Sequence, residues 1–141
     1  MVDNTNTPYY EVIEELRHIR QDLIRGIESI TGRRLIVYFT KVTSTSMITL
    51  DDDVPRMELL NDDIKGADID LMIQSLGGMI SSAEKWIEVL QKHSNSFRVI
   101  VTGIAKSAAT MIALGAESII MGPNSELGPL CLLYTSDAAD E

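Results

Sequence analysis

A single cysteine, Cys131, stands in the 141 residues, so no disulfide can close within the chain. Aromatic residues make up only 5% of it, with one tryptophan, which leaves aliphatic side chains to build the core. Basic residues are also scarce: 12 Lys and Arg face 21 Asp and Glu, for a net charge of -9. A chain this acidic offers no positive face to a phosphate backbone or an anionic lipid surface, which argues against nucleic acid and against membrane adsorption. No apolar run approaches the roughly 18 residues of a spanning helix, so no membrane span is expected. The opening MVDNTNTPYY lacks the basic start and apolar centre of a secretion signal, and a cytoplasmic protein is the expectation. The two histidines, His18 and His93, form no cluster with a cysteine, so no metal or other cofactor is expected.

What is present is a clear alternation of periods. In residues 8–30, Val12, Ile13, Leu16, Ile19, Leu23, Ile24, Ile27 and Ile30 recur at three-to-four spacing among charges, which predicts an amphipathic helix stopped by Thr31-Gly32. Such a helix packs on a sheet or on another subunit. Residues 35–39 form a short strand pattern. The run Asp51-Asp52-Asp53 before Val54-Pro55 reads as helix entry, since the alternating ligands and glycine of a calcium loop are missing. Residues 68–75 alternate with Ile69, Leu71 and Ile73 on one face and run into Leu76-Gly77-Gly78. Ile80, Ala83, Trp86, Ile87 and Leu90 then mark a helix. Residues 97–101 form the next strand, residues 103–106 a turn, residues 107–115 a helix, and residues 118–121 another short strand. Strands alternating with helices predict an α/β fold with a parallel sheet.

Two positions in this pattern carry chemistry. Gly77 and Gly78 lie where a strand turns out into a helix, a place where glycine admits unusual backbone angles and close approach. Taken alone, such a pair is explained by conformation, and neither phosphate-binding glycine pattern is present. Ser107 begins a helix after the next strand. On helix signals alone it reads as an N-cap. Together, outward-facing amides and a hydroxyl are the minimum apparatus for acyl transfer: donors for an oxyanion, and a nucleophile.

Three blocks, residues 30–39 (ITGRRLIVYF), 68–90 (DIDLMIQSLGGMISSAEKWIEVL) and 98–129 (RVIVTGIAKSAATMIALGAESIIMGPNSELGP), make the chain resemble the ClpP-like serine peptidases, and most closely the serine dehydrogenase proteinase family. The resemblance implies a ClpP/crotonase-like ββα spiral over residues 33–130, the N-terminal part of a protease domain, preceded by the amphipathic helix of residues 1–32. It implies peptide-bond hydrolysis with Ser107 as nucleophile and the Gly78 and Ala108 amides as oxyanion donors, Gly77 shaping the turn. A peptide or protein substrate and a homo-oligomer follow from the same resemblance. Leu76 and Ala109 depart from the family pattern, which has proline or glycine before the pair and glycine after Ser107-Ala108.

The general base is unaccounted for. Lys106 invites a Ser-Lys dyad, but adjacent side chains diverge, and the lysine bases of related signal-peptide peptidases come from far downstream. The histidine of the ClpP branch would fall near Leu130, where none stands. His93 reads as a polar helix end and His18 as surface. From Cys131 the sequence loses all period, and residues 131–141 resemble translated adapter read-through, a non-native tail on a truncated domain. Two other functions fit parts of the pattern: a crotonase-type acyl-CoA enzyme, which shares the fold and the two-amide hole but needs no serine, and a catalytically degenerate scaffold subunit.

Overall fold

The computed structural model describes residues 8–41, 48 and 61–130. The helix-entry reading of Asp51 to Asp53 and the tail from Cys131 onward lie outside the described residues. The element order is α1 (Pro8–Thr31), β1 (Arg34–Phe39), α2 (Asn61–Ile64), β2 (Asp68–Ser75), α3 (Ile80–His93), β3 (Ser96–Ala105), α4 (Ala108–Leu114), β4 (Ser118–Met121) and β5 (Glu126–Leu127). The strands form one sheet in the order β1-β2-β3-β4, with β5 also pairing β3, and every pairing is parallel.

Parallel neighbours need a crossover, and α3 and α4 supply the crossovers from β2 to β3 and from β3 to β4. The register sets Ile69 beside Phe97, Leu71 beside Val99 and Ile73 beside Val101, so one sheet face is an unbroken apolar surface. Against it lie Trp86, Val89 and Leu90 of α3 and Ala109, Ile112 and Ala113 of α4, all buried. Each large aliphatic side chain buried there contributes about 1.5–3 kcal/mol. Tyr38 of β1 meets Trp86 edge-on, ring centroids 4.7 Å apart.

The opposite face is only partly covered. Val37, Met72, Ile100 and Ile120 form a cross-sheet row by register, and Val37, Phe39 and Ile120 are exposed. On the same face Asp70 is fully buried. Its carboxylate accepts from Arg98 Nε and Nη2, both at 2.8 Å, and from Arg33 Nε at 2.8 Å. Burial alone would raise its pKa, but the Arg98 hydrogen bonds and charge, with Arg33 added, hold it below the ordinary 3.8. Arg33 also donates to the Ile69 and Ser96 carbonyls and to Ser96 Oγ, which ties three strands at one end of the sheet.

The long helix forms as its period requires, but it does not bury the whole apolar stripe. Ile24, Ile27 and Glu28 are half-buried near β1, where Glu28 Oε1 accepts from the Leu35 amide at 2.9 Å. Ile13, Leu16, Ile19, Leu23 and Ile30 remain exposed. The apolar period of a helix states that a face wants cover, not which surface supplies it.

β3 differs from its sequence expectation. The expected turn at Gly103 is strand, which continues to Ala105. Pairing runs Ile73 to Val101 and then Ser75 to Ala105, two steps on β2 against four on β3, so two extra residues bulge from β3. Gly103 sits in that bulge, where a Cβ would fall 2.9 Å from Gln74 Oε1.

Candidate active site

The bulge decides where the next residues fall. It carries Lys106 past the end of β2, so that the Lys106 amide donates to the Ser75 carbonyl at 3.0 Å and Ser107 arrives beside Gly77. A Cβ on Gly77 would stand 2.7 Å from Ser107 Cβ, 2.6 Å from the Lys106 oxygen and 3.2 Å from the Ala108 nitrogen. Gly77 also has φ +108°, a region L side chains avoid. Two reasons therefore require glycine here, and both place the turn directly against the serine.

Gly78 is glycine for a different reason. Its Cβ would overlap the backbone of Ile48, which is fully buried and forms a parallel bridge with it. Ile48 donates to the Gly77 carbonyl at 3.0 Å and accepts from the Met79 amide at 3.0 Å. With both flanking groups bonded to Ile48, the Gly78 N–H of this extended segment points away from it. The close approach is made, on one side, by the chain's own backbone. Among the described residues, neither Gly78 N nor Ala108 N has an acceptor.

Ser107 occupies the N-cap position of α4, which begins at Ala108, one residue later than the helix of residues 107–115 expected from the sequence. Its hydroxyl does not cap. Among the described residues Oγ makes no hydrogen bond, and the backbone is held at φ 50°, ψ −117°, the one positive φ of a non-glycine residue. Strain of this kind costs on the order of 1–3 kcal/mol and persists only where neighbours enforce it. Gly77 packs on the Ser107 Cβ, the Met111 amide donates to the Ser107 carbonyl at 3.1 Å, and buried Thr110 anchors the start of α4, its Oγ1 donating to the Ala105 carbonyl at 2.7 Å and accepting from the Gly128 amide at 3.2 Å. The capping explanation thus fails on geometry: the residue bears the strain and forgoes the bond that would justify it.

Residues 7–136 match the sequence profile of the ClpP-like SDH-type serine proteinases. The chain belongs to that family. Two uncharacterized proteins of Methanocaldococcus jannaschii are similar to it, one at 37% identity over 59% of this chain and the other at 29% over 86%. The chain spans 29% and 42% of the lengths of these two curated relatives. In fold it is similar to the ClpP protease catalytic domain from Plasmodium falciparum, with a TM-score of 0.54 at 17% identity, covering 91% of this chain and 64% of that one.

Within this family frame, the charged groups fall apart from the serine. Lys106 Nζ, the residue considered as a base, donates to Glu126 Oε2 at 2.7 Å, and that hydrogen bond and charge lower the Glu126 pKa. Its stem lies against Gly128, whose Cβ would collide with it. His93 ends α3, a helix of 14 residues that starts beyond the glycine turn and runs about 20 Å from it. His18 is exposed on α1. Leu76 and Met79, on either side of the glycine pair, are both exposed.

Ser75, Thr40, Thr110 and Ile48 hydrogen-bond around the glycine turn and the start of α4, and sequence reasoning passed over all four. A serine two residues before a turn glycine is a recognisable signal for a side-chain-to-backbone bond. Ile48 carried none, because its partner is thirty residues away by sequence in an otherwise polar stretch.

Proposed function

We propose that the chain carries the nucleophile and oxyanion hole of a serine endopeptidase. Ser107 Oγ attacks the scissile carbonyl carbon and loses its proton to a base outside the described residues. The carbonyl oxygen becomes an oxyanion accepted by the Gly78 and Ala108 amides. Collapse expels the amine with a proton and leaves an ester on Ser107, which water then hydrolyses. The observation that carries the reading is the strained, uncapped Ser107 packed on the Gly77 turn. A crotonase-type acyl-CoA enzyme would need the two amides but gives no reason to hold a serine in strain.

A peptide or protein is the substrate, with no cofactor, and the cytoplasm is the compartment. Among the described residues, no helix is long and apolar enough to cross a membrane. The exposed stripe on α1 and the apolar row on the open sheet face support association into a homo-oligomer. The scaffold alternative has one observation on its side, that no described residue hydrogen-bonds Ser107 Oγ.

The test uses a full-length chain containing these residues. A fluorophosphonate probe should label Ser107, and Ser107→Ala should abolish both labelling and peptide hydrolysis. Full hydrolysis by Ser107→Ala would refute the mechanism and leave the scaffold or acyl-CoA reading.

A further inference from the structure

Ser75 is fully buried, yet its hydroxyl is committed entirely to the turn that precedes Gly78. Ser75 Oγ accepts from the Gly77 amide at 3.0 Å, and Thr40 Oγ1 donates to the same oxygen at 2.9 Å. With both acceptor positions of Ser75 filled, its own proton is left facing the Gly77 carbonyl, 3.5 Å away. That carbonyl already accepts from the Ile48 amide. Gly77 is therefore held at both its N–H and its C=O, in a conformation glycine would otherwise leave for many others. Thr40 is fixed in turn by its own amide, which donates to the Gln74 carbonyl at 2.9 Å at the end of the β1–β2 ladder.

Resting on the protease reading above, we propose that Thr40 and Ser75 are positioning residues for the oxyanion hole. Their hydroxyls hold Gly77 at both ends: Thr40 donates to Ser75, which accepts from the Gly77 N–H and turns its own proton toward the Gly77 C=O, the group that shares a peptide plane with the Gly78 N–H and so sets its direction. Neither hydroxyl touches substrate. Each acts through the turn: a donor displaced by a fraction of an ångström loses much of its hold on an oxyanion, while substrate contacts made elsewhere are unaffected. Three features of the arrangement are not needed for folding alone. The two strand ends are already joined by backbone bonds, the Ser75 hydroxyl is buried at a point where alanine would fit, and the chain of donors ends on the residue before the free amide.

The experiment compares Thr40→Val, Thr40→Ser and Ser75→Ala with wild type in a full-length chain, reading kcat and KM on a peptide ester, the rate of fluorophosphonate labelling at Ser107, and the melting temperature. Thr40→Val keeps the shape and removes the donor. Loss of a whole oxyanion donor lowers kcat about 100- to 1,000-fold, and a misaimed one should cost less. The expected result is a kcat fall of about tenfold for Thr40→Val and about thirtyfold or more for Ser75→Ala, with KM within about twofold of wild type. Labelling should slow in parallel, and Thr40→Ser should restore it. If Ser75→Ala does not fold, Thr40→Val decides alone. Folded variants with wild-type kcat and labelling overturn the positioning role, and so does a rise in KM with kcat unchanged. Wild-type protein that neither labels at Ser107 nor hydrolyses peptide overturns the protease reading itself, a separate outcome.

Discussion

Replacing Gly77 by alanine tests the packing that unites the two halves of the site, and its cost can be worked out against a control in the same chain. At Gly77 an alanine must adopt φ +108° and place its Cβ 2.6 Å from the Lys106 oxygen and 2.7 Å from Ser107 Cβ. The backbone strain is about 1–3 kcal/mol, and forcing backbone apart in a buried site adds about 1–3 more. Gly32 has φ +66° with open space where a Cβ would stand. Alanine there meets only the left-handed penalty of about 1–2 kcal/mol, reduced by the about 0.4–1 that a stiffer unfolded chain returns. The same return applies at Gly77, so Gly77→Ala is expected to cost about 1.5–5 kcal/mol and Gly32→Ala about 1. In a domain whose whole stability is about 5–15 kcal/mol, the first is severe. At about 3–5 °C per kcal/mol for a chain of this size, Gly77→Ala should melt at least about 5 °C below wild type, with about 12 °C the central value, and Gly32→Ala a few degrees below. Circular dichroism on heating, with urea titration at fixed temperature, measures both. If Gly77→Ala melts within about 2 °C of Gly32→Ala, Ser107 does not pack on the glycine turn and the site as described is wrong.

Ser107→Gly should relieve the strain at φ 50° while removing the proposed nucleophile, so thermal unfolding is expected to show a neutral to slightly raised melting temperature alongside lost labelling; a drop of more than about 1 kcal/mol in stability would contradict the strained backbone. Asp70→Ala leaves Arg33 and Arg98 facing each other without their buried carboxylate and should cost about 3 kcal/mol in urea unfolding, whereas a change below about 1 would show the network to be idle. Because the folded pKa of Asp70 lies below its unfolded value, the stability it confers is present above pH 3.8 and is lost as pH falls through the folded pKa; an acid titration of wild type against Asp70→Ala should show the two curves converge there, and a constant gap would refute it. Thr110→Val removes the donor to the Ala105 carbonyl and should cost about 1–3 kcal/mol, with hydrogen exchange at the start of α4 quickened before that of the β2–β3 pair.

The sequence by itself determined the elements and their order. Ile69, Leu71 and Ile73 alternate because β2 is covered on one face, and the three-to-four spacing through Trp86 and Leu90 exists because α3 lies on that face. Periodicity is local, so it can be read without knowing the neighbours. It also set Ser107 and the glycine pair at the two strand-to-helix junctions, though not which function each served: a cap and a catalytic serine are the same residue in the same place on the page. What only the tertiary structure decided lies in contacts between distant segments. The two-residue bulge in β3 comes from a register no single strand encodes, and it brings Ser107 against Gly77. Asp70, written as the polar position of an alternating strand, is buried because Arg33 and Arg98 from two other segments neutralise it. Ile48 bonds both sides of Gly78 from a stretch with no strand pattern, and turns that amide outward. The difference has one physical cause. A side chain's period records the surface it faces, whereas hydrogen-bond direction and backbone strain depend on what the rest of the chain places opposite.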